Sequence, residues 1–475
     1  MVLDSPRTCT AALHQHGKTT IRTLSQASTA YRTARTREEE PVIPSPAVFA
    51  FDRDAGRADD ARRLPPVAAC AAHLQLLEVF YVLRQRILVS EDIDAAMGIA
   101  PQREVKVGRH GDRKVLRDDT LWDRRQQKWT KFVEFAAVRF LAWRRALRLR
   151  EGDMTAAAYG RDGRALACLP PLDVVMVWHA FMLNPRLFRQ TCQDELLYSI
   201  AMPWQAVHVA IDGREWTFAP GRAAEAHFEA VVGVPADLLG QFTAWTKQHG
   251  AAQPPPPGLD AFGLAGETGP EAVFAAAAPG SMPAYAYAAL FRSVDGPLAT
   301  ALRDAVARQA DFVDKMNAHM WIRSPALEGT LRRAVDRYAR FLELLRLRPD
   351  TTIVPTLDID LVWHTHQCGA AAYARAMRAL VGHFVNHDDT IVKERLGTGF
   401  DASQRLFQVH FGRQYRVCGC WDCEALLSAL EDAARAGPDA DVDMAAVARR
   451  ARDDVTYYRA VEVAIRGKKP LPVRR

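Results

Sequence analysis

The sequence predicts a mainly α fold, two related helical lobes arising from an internal duplication, with few short strands. Three observations predict it. Several long segments place apolar residues three to four apart, the spacing of one helix face. Period-two alternation is scarce. A segment built on Pro, Leu, Asp, Trp and His occurs twice. The 475 residues are 49% hydrophobic, 25% charged and 9% aromatic, which excludes collagen, coiled coil and wholesale disorder. At roughly 150 residues per domain, such a length gives two to three domains. Eight cysteines are too sparse for a disulfide scaffold and fit a reducing compartment, so a cytoplasmic location is expected.

Residues 1–66 read as a disordered basic and polar tail. Positions 5–37 hold Arg7, Lys18, Arg22, Arg32, Arg35 and Arg37 and no acid, a composition shared by disordered tails and mitochondrial transit peptides. The first lobe is expected over 67–250. It opens with a helix that puts Leu74, Leu77, Phe80, Tyr81 and Leu88 on one face. A second helix, from about Leu121 to Leu149, presents a stripe of Trp129, Phe132, Val133, Ala136, Phe140, Trp143 and Leu147. Gln205 to Phe218 fits a hairpin around Asp212-Gly213 and fits equally a helix through Ile211 begun at Pro203. Residues 251–283, rich in Pro, Ala and Gly, read as a linker. The second lobe, 284–475, carries Leu331, Val335, Tyr338, Leu342 and Leu345 on one helical face. The longest uncharged stretch, Ala272 to Phe291, contains two prolines and few large apolar residues, so no membrane span is expected.

The duplication is the most informative feature. Pro170-Pro171-Leu172-Asp173 through Trp178-His179 reappears as Pro355-Thr356-Leu357-Asp358 through Trp363-His364, each matched residue 185 positions on. Phe188 and Tyr373 keep that register, and Arg139-Phe140-Leu141 pairs with Arg340-Phe341-Leu342 upstream. Asp173 and Asp358 sit where an acid meets the positive end of a helix, and Trp178 and Trp363 supply large apolar surfaces. The first duty of these shared residues, His179 and His364 included, is structural. The copies differ informatively: the second has Asp360, His366 and Gln367 where the first has Val175, Phe181 and Met182.

Three groups are candidate metal ligands: His364 with His366; His383 with His387, followed by Asp388; and Cys418, Cys420 and Cys423. Thiolates and imidazoles are the preferred donors for zinc. His364 and His366, two apart, cannot face one ion from a helix, whereas His383 and His387 would share a face if their segment were helical. The structural alternative makes the cysteines buried hydrophobes, His364 a core histidine bonded to a carboxylate such as Asp360, and Asp388 a helix cap. Gly17-Lys18-Thr19-Thr20 lacks the opening glycine and the preceding strand of a P-loop. Residues 101–150 carry 15 Lys/Arg against 6 Asp/Glu, a basic face suited to nucleic acid or simply to solvent.

Leu357-Asp358-Ile359-Asp360-Leu361-Val362-Trp363-His364-Thr365-His366-Gln367 resembles the signature of the glycine-rich domain-containing protein-like family of fungi and plants. Asp311 to Met316, Trp321 to Pro325, His387-Asp388-Asp389, Tyr415, Cys418 to Cys423 and Pro470-Leu471-Pro472 resemble its fungal branch. The resemblance implies, from plant members, a link to development and stress responses and proposals of RNA binding. This chain has only 28 glycines, no Gly-rich tract and no RNA-recognition motif. The expected function is a non-catalytic protein-interaction or scaffold protein with protein partners. The alternatives are a metal-dependent, zinc-type enzyme centred on the second-lobe histidines and cysteines, and a nucleic-acid binder acting through residues 101–150.

Overall fold

A computed structural model describes residues 31–51, 62–97, 99–102, 104–107, 113–116, 118–149, 168–241, 243, 282–387, 393–435 and 443–474. Helices dominate, in the order α1 (Val67–Val89), α2 (Glu91–Ala96), α3 (Leu121–Leu149), α4 (Leu172–Met182), α5 (Pro185–Cys192), α6 (Leu196–Ser199), α7 (Trp204–Ala210) and α8 (Arg222–Val232). They continue with α9 (Met282–Ser293), α10 (Gly296–His319), α11 (Leu327–Leu347), α12 (Leu357–Gln367), α13 (Ala370–Leu380), α14 (Lys393–Phe411), α15 (Trp421–Arg435) and α16 (Met444–Arg466). Strands among the described residues form three short antiparallel pairs: β1 (Arg32–Thr33) with β6 (Pro472–Val473), β2 (Glu104–Val107) with β3 (Arg113–Leu116), and β4 (Ile211–Asp212) with β5 (Thr217–Phe218). The chain is predominantly helical.

It divides into two compact units. One comprises Val79–Asp212 and Trp216–Asp311. Its core is the α3 stripe, and all seven stripe residues read from the sequence are buried. They meet α4 through Trp143 on Trp178 (ring centroids 5.7 Å apart) and Phe140 on Phe181 (6.0 Å). Helix α4 is apolar nearly all round and buried from Asp173 to Met182, the pattern of a helix inside a core. Each fully buried large apolar side chain such as Phe181 contributes on the order of 1.5–3 kcal/mol. Arg139 is also fully buried. Its Nε donates to Asp173 Oδ2 (2.7 Å), Nη1 to Pro235 O and Tyr287 Oη (both 2.8 Å), and Nη2 to Ala236 O (2.7 Å) and Asp173 Oδ1 (3.4 Å). All five N–H groups are used, which lets a guanidinium sit in a core. Asn184 caps α5 by accepting from the Leu187 amide, with Pro185 in the first turn. The two readings of 203–218 hold in succession: Pro203 opens α7, and the chain then turns through β4 and β5.

The other unit comprises Met1–Glu78, Gly213–Glu215 and Phe312–Arg475. Helix α11 buries Leu331, Tyr338 and Leu342 as read, but also Ala334, Phe341 and Leu344, while Val335 and Leu345 are half-buried. The stripe is wide because α12, α13, α14 and α15 all pack on α11. The arginine that holds the motif aspartate here is Arg337, one turn before the Arg340 paired with Arg139 by sequence: Arg337 Nε donates to Asp358 Oδ2 at 2.6 Å, whereas Arg340 reaches only the Asp336 carbonyl. Helices α15 and α16 close on Trp421, Ala425, Ala451 and Val455.

Residues 31–51 of the expected tail have structure. β1 pairs with β6, Tyr31 packs edge-on to Tyr457 at 5.3 Å, and Val48 and Phe49 are buried. Residues 1–30, residues 251–281 of the expected linker, and Asp388 lie outside the described residues. α1 is long and apolar enough to cross a membrane by length and composition, and 83% of its most apolar window is buried inside the protein. The core helix of a globular protein meets the same description.

Candidate metal centre

The second motif helix, α12, starts without a side-chain cap at Thr356. Arg337 secures that start instead, donating to Asp358, to Thr356 Oγ1 at 3.0 Å and to the Tyr415 carbonyl at 2.6 Å. The helix then presents different residues in different directions. His366 faces Tyr338, with Nδ1 and the hydroxyl 3.0 Å apart; burial pushes its pKa down to about 4. Thr365 sits 2.8 Å from His73. Asp360 and His364, four apart, share a third face, and both are buried.

A long-range relay brings the remaining ligand. Trp363 Nε1 donates to the Tyr373 hydroxyl (2.9 Å), and that hydroxyl donates to the Val385 carbonyl (3.0 Å). This fixes the segment after α13 so that His387 lies edge-on to both Trp363 (5.0 Å) and His364 (4.8 Å). Phe312 covers His364 from another side at 4.4 Å. The result is a buried triangle of donor atoms. His364 Nε2 and His387 Nε2 are 3.1 Å apart, and Asp360 Oδ1 is 3.3 Å from the first and 3.7 Å from the second. Asp360 Oδ1 accepts no hydrogen bond of good geometry, although both imidazoles face it. Burial pushes the Asp360 carboxyl up, but the His364 and His387 imidazoles outweigh it and hold the group well below its ordinary range.

These distances fit a cation. Ligands about 2.0–2.1 Å from zinc lie about 3.4 Å from one another in a tetrahedron. Without an ion, two Nε2 atoms at this distance need one ring to donate to the other beside an ionised carboxylate. With an ion, the lone pairs of all three groups are used at one centre. Three protein ligands also leave a coordination position for another molecule.

The sequence-predicted ligands separate into two groups. Asp360, His364 and His387 form one, and Cys418, Cys420 and Cys423 form the other, with ligand atoms within 4.8 Å of one another in each. His366 points away to Tyr338. His383 is exposed, and its segment bends at Gly382 (φ +95°) rather than forming the helix that would have aligned it with His387. By sequence Asp360 is a partner of His364 rather than a ligand, although its i, i+4 spacing carries the signal. Gln367, at i+7 on the same face, is a residue that its type alone does not mark as part of a site. It is fully buried, and neither of its amide atoms has a hydrogen-bond partner. In the first unit His179 is buried against Phe80 at 5.6 Å, and burial pushes its pKa down to about 3. Val175 stands where a carboxylate would be needed, so the same triad cannot form there.

Residues 291–375 match the glycine-rich domain-containing protein-like family. That span contains Asp360 and His364 but ends before His387 and the cysteines. The chain is 36% identical over 124 residues to glycine-rich domain-containing protein 2 of Arabidopsis thaliana, covering 24% of this chain and 15% of that protein. It is 36% identical over 97 residues to glycine-rich domain-containing protein 1 of the same plant, covering 19% and 12%. The matches thus take in less than a sixth of either relative. No solved structure matches the chain. Residues 291–375 are thus the part of the chain that is similar to the glycine-rich domain-containing protein-like family.

Proposed function

We propose that this protein is a metal-dependent enzyme in which Asp360, His364 and His387 hold one divalent ion of the zinc type. The observation that carries the reading is the buried triangle of one carboxylate oxygen and two imidazole nitrogens at 3.1–3.7 Å. Such an ion would supply Lewis-acid chemistry and activate a water molecule for hydrolysis. Asp360 supplies the charge that the ion neutralises, and Trp363 positions His387 through Tyr373. Gln367, buried with unused hydrogen-bonding capacity, lies one turn from His364 and suits the orientation of a small polar reactant.

The same reading takes α4 and α12 as duplicated elements, with the site kept in the second copy. Both helices are eleven residues long. Their C-caps are matched, Leu183 donating to the His179 and Phe181 carbonyls and Cys368 to those of His364 and His366. An aromatic ring also covers the motif histidine in each, Phe80 or Phe312. Placement in the fungal branch of the family belongs to this proposal too.

Cobalt substitution tests the function. In a Cys418→Ser/Cys420→Ser/Cys423→Ser background, the cobalt-loaded full chain should show visible absorption of nitrogen- and oxygen-ligated cobalt, perturbed by azide at the open position. His364→Ala should abolish it. A spectrum unchanged by His364→Ala would refute the centre, and one indifferent to azide would refute the open position that an enzyme needs.

A further inference from the structure

We infer that Cys418, Cys420 and Cys423 form a second metal site, a three-thiolate cradle for a thiophilic d10 ion such as zinc or monovalent copper, independent of the Asp360 centre. The three sulfurs lie within 4.8 Å of one another. Sulfurs bound about 2.3 Å from one zinc ion lie about 3.8 Å apart, so little movement closes the site. Soft thiolates select such ions over the harder ones that suit carboxylate and water.

The local chain is organised to hold this arrangement. Cys423 falls in the first turn of α15, Cys420 immediately precedes the helix, and the Cys420 carbonyl accepts from the Glu424 amide at 3.0 Å. Two tryptophans clamp the corner. Trp321 Nε1 donates to the Gly419 carbonyl at 2.7 Å, and the Trp421 indole donates to the His319 carbonyl at 3.0 Å. Gly419 is required there, because a Cβ would lie 2.8 Å from the Trp321 ring. Buried aromatic packing thus holds the corner of the chain that carries the sulfurs. Cys423 is exposed, which leaves the site reachable by chelators and by a further ligand.

Cadmium is the probe. Titrating it into the reduced full chain should raise the ultraviolet thiolate-to-cadmium charge-transfer band to saturation at one equivalent. Cadmium should also protect the three thiols from maleimide. Cys418→Ser, Cys420→Ser and Cys423→Ser should each remove the saturable band, and His387→Ala and Cys168→Ser should leave it. Because Cys423 is exposed, Cys423→Ser serves as the variant that leaves the fold intact, checked by far-ultraviolet circular dichroism. A band unaffected by Cys423→Ser would overturn the site. So would a wild-type chain whose cysteines react as free thiols, or as a disulfide, with and without cadmium.

Discussion

Asp358 and Asp360 stand two residues apart on α12 and have opposite partners. Arg337 donates to Asp358 at the helix start, whereas Asp360 faces two imidazoles that cannot both donate to it while also meeting each other. His366, on the same helix, is separable from the site. Its burial and that of His179 hold both neutral, with pKa values pushed down to about 4 and about 3. The unfolded chain takes up these protons below about pH 6.5 and the folded protein refuses them, so stability is intact above that pH and falls as the solution is acidified. Near pH 5 the loss is about 2 kcal/mol for each histidine. Urea unfolding near pH 7 and pH 5 should show this, and His366→Phe should shrink the difference by about the share of one histidine. The same pH dependence in wild type and variant would contradict the burial argument for His366.

At the scale of elements, each motif helix is anchored by an arginine from the preceding long helix, but to different depths. Arg139 is wholly enclosed, and its Asp173 partner is buried. Arg139→Met strands that carboxylate and should cost about 3–5 kcal/mol of stability. Arg337 and Asp358 are each slightly exposed, so Arg337→Met should cost less, as measured by chemical denaturation. An equal or larger loss at Arg337 would contradict this ranking. The elements themselves were legible wherever local periodicity determines them. The α3 stripe, the proline-led start of α7 and the motif helices all follow from spacing within a few turns. The wide face of α11 was only partly legible, because four neighbouring helices bury it. The position of His387 was not legible at all. Its neighbours bend at Gly382, and the relay from Trp363 through Tyr373 to Val385 places it. The cysteines were recognisable because their spacing is local, but their separation from the histidines depends on tertiary packing.

On the scale of the whole molecule, each of the two helical units contains one of the two helices that share the Leu-Asp and Trp-His pattern, and among the described residues the donor triangle lies in one of them. In the other, Val175 and Met182 replace the carboxylate and the amide that flank the motif histidine. Apolar groups at these positions avoid the desolvation cost of a buried carboxylate and amide. Asp360→Val puts the residue of the first motif at this position of the second, and on the proposed reading removes the ion without unfolding the chain. The most direct measurement is elemental analysis of the full-length protein after equilibration with zinc and desalting, beside Asp360→Val and His387→Ala. The account predicts that each variant binds one zinc fewer than the wild type while circular dichroism stays the same. Equal zinc in all three folded proteins, or none in the wild type, would contradict it.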